Sequence, residues 1–493
     1  MLEIICSRTN EFIQQMPKAL RKKYGQFFTS KETARYMASL FCIPKNKSQI
    51  SILDAGAGSG ILSIALIERL SQETDAGLYL TCYENDPNIY TLLVSNLEEC
   101  KKQIGERLSF EVRQTNYILS QRESFCRDVF ADQKREQYDL IIGNPPYMKI
   151  AKEAPEAVAM SEVCHGAPNL YFLFAAMGVF NLKEGAEMVY IIPRSWTSGA
   201  YFEKFRKYLF SKTVLTHIHL FGSRKKVFEQ ESVLQETMII KVCKTKKQPK
   251  TIKITTSPTN HDFHQCTSLD APYPLVVSGR NQYVYLVTNN EDVALLNSIR
   301  GMTQTLPDLG FRMKTGLVVD FRTRESLRNK QEENAVPLIY SQHIRDGRVR
   351  FPGGKDNEYL VTDKRSLIQE NKNYLFVKRF TAKEESRRLQ CGIYLKRYLP
   401  DFKFISTQNK INFIDCMHEI SECVIYGLYV LFNSTMYDLY YRILNGSTQV
   451  NSSEMNSVPV PSLNIIEQMG KELIRTKDLS ENNCNQILHN HIS

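Results

Sequence analysis

Residues Tyr138 to Ile150 read YDLIIGNPPYMKI, and the manner in which this stretch stops sets the reading of the chain around it. Leu140, Ile141, Ile142 and Gly143 make a short apolar run suited to a buried strand. It meets Asn144-Pro145-Pro146-Tyr147, where two successive prolines delete two backbone donors. A sheet ladder cannot continue through that corner. What remains is a rigid turn rich in acceptors and poor in N–H groups, followed by an aromatic ring.

Working outward, the same edge recurs. QISILDAGAGSGILSIALIERL (Gln49–Leu70) reads as strand, glycine-rich corner and helix. LYLTCYENDPNIYTLLVSNL (Leu78–Leu97) repeats strand, corner and helix, and LSFEVRQTNYIL (Leu108–Leu119) gives a further strand and turn. After the central stretch come a helix within Pro168–Leu182, a strand AEMVYIIP, a helix YFEKFRKYLF, and strands VLTHIHLF and ETMIIKV. Alternation at these spacings predicts an α/β doubly wound, mostly parallel sheet. The last two strands are joined by a loop and not by a helix, which predicts one antiparallel strand. Ahead of the sheet, Thr29 with Glu32 three residues later has the pattern of a capping box opening a helix.

The pattern changes near KVCKTKKQPKTIKITTSPTN, whose Lys and Pro density reads as a linker. This predicts two domains, 1–245 and 246–493, in a chain whose 493 residues exceed one ordinary core. The second half has short strands, turns such as RDGR and PGGK, and no repeat.

Composition is that of a globular protein, 42% hydrophobic and 24% charged. The longest apolar run, Leu170–Phe180, falls short of the roughly 20 residues that span a bilayer, so no membrane association is expected. The start MLEIICSRTNEF lacks a basic region followed by an apolar core, so no signal peptide is expected. Cysteines are scattered with no C-x-x-C pair, which fits a reducing cytoplasm. Net charge is +10, but unevenly placed: residues 51–200 carry 13 Lys+Arg against 20 Asp+Glu, and residues 201–250 carry 12 against 4. An acidic block followed by a basic one suits a polyanionic partner. A solvated surface with a basic linker is the plainer reading of the same numbers.

Four strand ends, Asp54, Glu84, Asn116 and Asn144, are predicted on one edge of the parallel sheet, where ligands bind in such folds. Gly56, Gly58 and Gly60 in LDAGAGSG permit close backbone approach to a ligand at a helix start. A tight structural turn would use them too, and no Gly-Lys-Ser/Thr follows to make a P-loop. Glu84 is placed to accept ribose hydroxyls, while Asp86-Pro87 reads as a helix cap. The Asn144 amide oxygen and the Pro145 carbonyl can both accept from one –NH2 group, localising the lone pair of a poorly nucleophilic amine. Tyr147 offers a planar face. His217 and His219 share one side of a strand, but no third ligand is nearby and no metal is expected.

Asp-x-Gly-x-Gly-x-Gly followed by Asn-Pro-Pro-Tyr resembles the S-adenosyl-L-methionine (AdoMet)-dependent amino-methyltransferases. GQFFTS upstream resembles the first cofactor motif of gamma-class DNA adenine-N6 methyltransferases, and the four blocks cover about residues 20–245. The later blocks GLVVDFRTRE, PLIYSQHIRDGRVRFP and NGSTQVNSSEMNSVPVP resemble the C-terminal half of bacterial restriction–modification methylases of the PstI/BsuBI type. This resemblance implies a class I, Rossmann-like fold with a seven-stranded sheet, plus a C-terminal α+β target-recognition domain. It implies AdoMet as cofactor, held by Phe27, Thr29, Asp54, the Gly56–Gly60 loop, Glu84, Asn116 and Tyr117. Asn144, Pro145 and Pro146 would form the catalytic corner. Tyr147 and Phe228 would stack on an adenine flipped out of double-stranded DNA. Asn116 departs from the Asp common in the family, which weakens charge assistance there.

Candidate phosphate contacts are Arg206, Lys207, Arg224, Lys225 and Lys226 in the basic segment. In the second half they are Arg322, Arg345, Arg348, Lys378, Arg379, Arg387 and Arg388. The resemblance further implies a short palindromic target of the CTGCAG type, a cognate restriction endonuclease, and a monomer on DNA. Protein-glutamine and RNA methyltransferases also use Asn-Pro-Pro-Tyr, and a DNA-specificity subunit with a non-catalytic half is a third reading.

Overall fold

The chain was analysed as a computed structural model that describes residues 1–15, 29–126, 135–222, 237–381, 385–445 and 449–492. It forms two compact units, Met1–Asn289 and Asn290–Ser493.

The first unit is organised by a nine-stranded sheet in the order β3-β2-β1-β4-β5-β7-β6-β8-β9. Its strands are β1 (Gln49–Ala55), β2 (Gly77–Tyr83), β3 (Leu108–Arg113), β4 (Tyr138–Gly143), β5 (Leu182–Pro193), β6 (Val214–Phe221), β7 (Thr237–Cys243), β8 (Thr251–Ser257) and β9 (Thr267–Pro272). The five strands from β3 to β5 run parallel. β7 lies antiparallel between β5 and β6. The first seven strands thus have the expected topology of the class I methyltransferase fold, with one reversed strand.

Two more strands extend the sheet beyond that expectation, and they overturn the linker placed at 241–260. β8 pairs parallel with β6, and β9 pairs antiparallel with β8. Ile252 and Ile254 alternate into the core while Lys253 points outward, a period-2 pattern that the surrounding lysines mask in composition. The compact boundary consequently falls at Asn289/Asn290 and not at 245/246.

Helices Lys31–Ser39, Ile61–Glu73 and Pro87–Ile104 bury Met37, Ile64, Leu66, Leu93 and Leu97 with Ile52, Leu80, Val189 and Ile191 in one core. Tyr190, between Val189 and Ile191, points to the opposite face, where its ring lies against Gly143 and Gly178 of the helix Leu170–Asn181. Asp86 caps the Pro87–Ile104 helix through Asn88 N at 3.0 Å, with Pro87 in its first turn, as the sequence predicts. The cap of the Lys31–Ser39 helix is Ser30, whose hydroxyl accepts from Thr33 N at 3.2 Å. Thr29, expected as that cap, is shifted one residue upstream and left for another task.

The second unit contains a six-stranded and a five-stranded sheet with helices Glu422–Asn433, Thr435–Leu444, Leu463–Thr476 and Glu481–Ile492. No helix among the described residues is long and apolar enough to cross a membrane.

Candidate active site

Because β1 to β4 are parallel, their C-terminal ends share one edge, and every corner singled out in the sequence lies there. The glycine corner after β1 is held by Gly56 N and Ala57 N, both donating to Tyr83 O at 2.9 Å. Gly58 and Gly60 have φ of 56° and 84°, the left-handed region that side chains disfavour. The two are needed for different reasons. A Cβ on Gly60 would lie 2.8 Å from Leu93 Cδ1, so Gly60 serves packing of the next helix. A Cβ on Gly58 would meet nothing within 4 Å, so Gly58 borders open space.

Asp54 is fully buried beneath this loop. Ser63 Oγ donates to its Oδ2 at 2.7 Å, while Oδ1 has no hydrogen-bond partner among the described residues. Burial pushes the Asp54 carboxyl up to about 7, with the Ser63 hydrogen bond opposing and the Glu84 charge adding to the rise. A buried acceptor without a donor is costly, and this one lies beneath the open glycine cradle. Glu84 departs from its expected role in one respect. Its Oε2 accepts from Gly58 N and its Oε1 from Asp86 N, each at 2.9 Å. It therefore shapes the loop.

The third corner is also more committed than expected. Asn116 caps the short helix Tyr117–Ser120 by accepting from Leu119 N at 3.1 Å, and its Nδ2 donates to Glu156 Oε1 at 2.7 Å. Tyr117 is buried, donating to Asn181 Oδ1 at 2.8 Å. Its ring lies 5.0 Å from Tyr83 and 5.6 Å from Phe174, centroid to centroid. Phe174 is the residue that sequence reasoning missed. It is half-buried, and a Cβ on Gly56 would lie 3.5 Å from its ring and 3.8 Å from Pro146 Cδ. The glycine corner, Tyr117 and the proline corner thus converge on one ring of the Leu170–Asn181 helix. Its only sequence signal was an aromatic in a uniformly apolar helix.

At the fourth corner Asn144 Nδ2 donates to Thr29 Oγ1 at 3.1 Å, and Tyr147 Oη donates to Asn144 Oδ1 at 2.7 Å. Tyr147 Oη also lies 3.0 Å from Ile191 O. The amide plane of Asn144 is thereby held at both ends. Burial keeps the Tyr147 phenol far above its ordinary range, so it remains a donor. At 9% exposure its ring is largely covered, and its contribution in this structure is the hold on Asn144 and not an open stacking face.

Residues 60–228 match the Eco57I restriction-modification methylase family. The type II methyltransferase M.PstI of Providencia stuartii is 33% identical over 470 residues, 93% of this chain and 91% of that protein. The type II methyltransferase M.BsuBI of Bacillus subtilis is 33% identical over 464 residues, 92% of this chain and 91% of that one. The chain belongs to the type II methyltransferases. A nuclease-deletion mutant of the Type ISP restriction-modification enzyme LlaGI, solved with a DNA substrate mimic, shares the fold. It has a TM-score of 0.52 at 12% identity, over 91% of this chain and 54% of that one.

The methyltransferase's candidate DNA contacts divide sharply. Arg224, Lys225, Lys226 and Phe228 lie outside the described residues, as does the cofactor candidate Phe27. Arg206 is fully buried and spends its guanidinium on the carbonyls of Asn281, Trp196, Ser198 and Gly199 at 2.7–3.0 Å, so it is a brace and not a phosphate contact. Arg388 is likewise fully buried, bound to Thr381 O. Arg387 is tied to Glu481 at 2.7 Å, and the exposed Lys207 pairs with Glu203. In the second unit, Arg322, Lys378 and Arg379 gather at one end of the six-stranded sheet, around the turn Gln408–Lys410. Arg345 and Arg348 sit apart, on the edge hairpin Ile344–Val349, where Arg348 reaches the hydroxyls of Tyr398 and Tyr426.

His217 and His219 do face one side, as predicted, and are spent on a buried network. Both lie 2.9 Å from Thr255 Oγ1, and His219 Nε2 lies 3.0 Å from Ser257 Oγ. Tyr36 of the Lys31–Ser39 helix joins it, 2.7 Å from Thr255 Oγ1. The network fastens to the sheet the helix that follows Thr29.

Proposed function

We propose that the protein transfers a methyl group from AdoMet to the N6 amino group of adenine within a short specific DNA sequence. The target base is flipped from the duplex, and the mark protects DNA from a cognate restriction endonuclease. The observation that carries this reading is the fixed amide of Asn144, beside Pro145, at the sheet edge that also bears the glycine corner. Kinship to type II methyltransferases over almost the whole chain supports it.

The residues present fit AdoMet. The buried, unpartnered Asp54 Oδ1 and the open space at Gly58 suit a charged ligand resting on the loop. The half-buried Phe174 ring and the aromatic Tyr117 and Tyr83 suit a planar one. Asp54, Gly56–Gly60, Glu84, Asn116, Phe174 and Thr29 would hold it, with Phe27 upstream. When bound, AdoMet supplies an electrophilic methyl group on a sulfonium.

Asn144 and Pro145 do the rest by positioning. Asn144 Oδ1 and the Pro145 carbonyl accept the two N–H groups of the adenine amine. This draws nitrogen electron density out of the ring and stabilises the positive charge that grows as the C–N bond forms. Thr29 and Tyr147 keep the Asn144 amide from rotating, so its orientation is settled before substrate arrives. No strong base is required, because the methylated amine loses its proton readily. Pro145 and Pro146 keep the acceptors rigid. In this reading Tyr147 stacks on the flipped base only where the approaching base uncovers its ring.

Tritiated methyl transfer to duplex DNA, RNA and protein tests this reading, together with modification-aware sequencing of DNA from cells expressing the protein. Label should appear as N6-methyladenine in one DNA sequence context, and that DNA should resist a nuclease cutting the same sequence. Label confined to RNA or protein overturns the proposal.

A further inference from the structure

Two of the most exposed phenylalanines of the second unit occupy the same end of its six-stranded sheet. Phe321 is 67% exposed and Phe380 46% exposed. Single exposed apolar residues are common. These two differ in their setting. Each lies beside an arginine whose guanidinium carbon sits over its ring, Arg322 at 5.5 Å and Arg379 at 5.4 Å from the centroid.

The supporting backbone is well fixed. Thr315 pairs with Asn412, and Val318 bridges to Gln408. Val318 N donates to Thr407 O at 2.9 Å and Asn409 N to Val318 O at 2.8 Å. Gln408, buried, donates to Asp320 Oδ1 at 2.7 Å, so the neighbouring carboxylate is turned to a structural bond. Arg379 N donates to Lys410 O at 2.9 Å, and the Arg379 guanidinium donates to Asn409 O and Gln449 Oε1. The segments that carry both exposed rings are therefore braced against the Gln408–Lys410 turn. Around them Arg322, Lys378, Arg379 and Lys410 have no ion pair among the described residues.

We infer that the Phe321–Phe380 edge is a base-stacking surface for distorted duplex DNA, in which the rings contact nucleobases while Arg322, Lys378 and Lys410 face phosphates. The inference rests on the DNA reading above. Positive charge without carboxylate partners selects a polyanion, and flat apolar rings between the charges select one with planar groups to offer. A protein surface would match neither so well. An undistorted duplex offers no base faces, so the partner is DNA opened at a base step, as flipping or kinking leaves it.

The test uses the full chain and a 30-bp duplex carrying the sequence found methylated in the sequencing experiment, with 2-aminopurine beside the target adenine. Phe321→Ala and Phe380→Ala together should weaken binding about tenfold or more and reduce the change in 2-aminopurine fluorescence, with the salt dependence of binding unaltered. Phe321→Trp with Phe380→Trp should restore affinity. Arg322→Ala with Lys410→Ala should instead lower the salt slope by about two. Since both rings are exposed, the alanine variants should keep the wild-type melting temperature. Wild-type-like affinity and fluorescence in the alanine variant overturn the inference, as does a change confined to self-association on sedimentation. If the wild-type chain neither binds nor methylates DNA, the functional reading itself fails, which is a separate outcome.

Discussion

Asn144 Nδ2 lies 3.1 Å from Thr29 Oγ1, joining the sheet edge to a residue 115 positions earlier. Thr29 is available for this bond because Ser30, and not Thr29, caps the helix that follows. With Tyr147 Oη on Asn144 Oδ1 at 2.7 Å, the pair makes the orientation of one amide depend on two hydroxyls.

That dependence separates positioning from stacking. Tyr147→Phe keeps the ring and removes only the hydroxyl. It should lower kcat for methyl transfer about tenfold while leaving DNA affinity within about twofold, and Thr29→Val should act similarly, with Thr29→Ser restoring activity. Asn144→Ala, which removes the acceptor itself, should cost on the order of 10²–10³ in kcat. Steady-state kinetics with separate binding measurements decide it: a Tyr147→Phe enzyme with unchanged kcat shows that the hydroxyl does not position Asn144.

Asp54 predicts an alkaline loss of stability in the absence of ligand. Its folded carboxyl is pushed up to about 7 by burial, against about 4 for an exposed aspartate. Folding then favours the protonated form. This contribution is fully present below about pH 4 and is lost as pH rises through about 7. Asp54→Asn should therefore gain on the wild type by up to a few kcal/mol between pH 5 and 8. Melting temperatures measured across that range check it; parallel curves for the two proteins would falsify the assignment.

The buried histidines predict the opposite edge of the pH range. Burial lowers His217 to about 4, aided by the charges of Lys253 and Lys241, and lowers His219 to about 3, aided by His217. Both fold as neutral rings. Their contribution is intact above about pH 6.5 and is lost as pH falls through about 4 and then 3. Protonating His217 in the folded chain costs on the order of 3 kcal/mol. Urea unfolding between pH 7 and 4 should show a fall in stability that His217→Gln with His219→Gln flattens.

Asn116→Asp would restore the residue common in the family and should be harmful here. Glu156 Oε1 sits 2.7 Å from the Asn116 amide nitrogen, so a second carboxylate would replace a donor with a like charge. A loss on the order of 1 kcal/mol is expected at pH 8, recovering as pH falls and one carboxyl takes a proton. Adding Glu156→Gln should recover the loss at pH 8. Thermal melts of the single and double variants provide the check.

Much of this site was readable before any coordinates. Asp86-Pro87 as a helix start, the reversed β7, and the shared edge of Asp54, Glu84, Asn116 and Asn144 follow from local patterns of caps, alternation and chain breaks. The linker expectation failed where lysine density concealed the alternation of Ile252 and Ile254 in β8. Arg206 resembled a surface cation because charge in a sequence carries no sign of burial; only the loop carbonyls gathered around it reveal a brace. Phe174 was invisible for the converse reason, since every neighbour in its helix is apolar too.

The sequence by itself determined the chemistry's vocabulary: a strand that must end at Asn144 because Pro145 and Pro146 cannot extend a ladder, and a glycine corner whose left-handed turns other residues disfavour. Tertiary structure decided how those parts are held. Whether Thr29 caps a helix or grips Asn144, whether Tyr147 stacks or orients, and whether Glu84 meets a ligand or a loop amide depend on partners far away in the chain. A hydrogen bond is satisfied by whichever group arrives within about 3 Å at a usable angle, and local sequence does not say which group that will be.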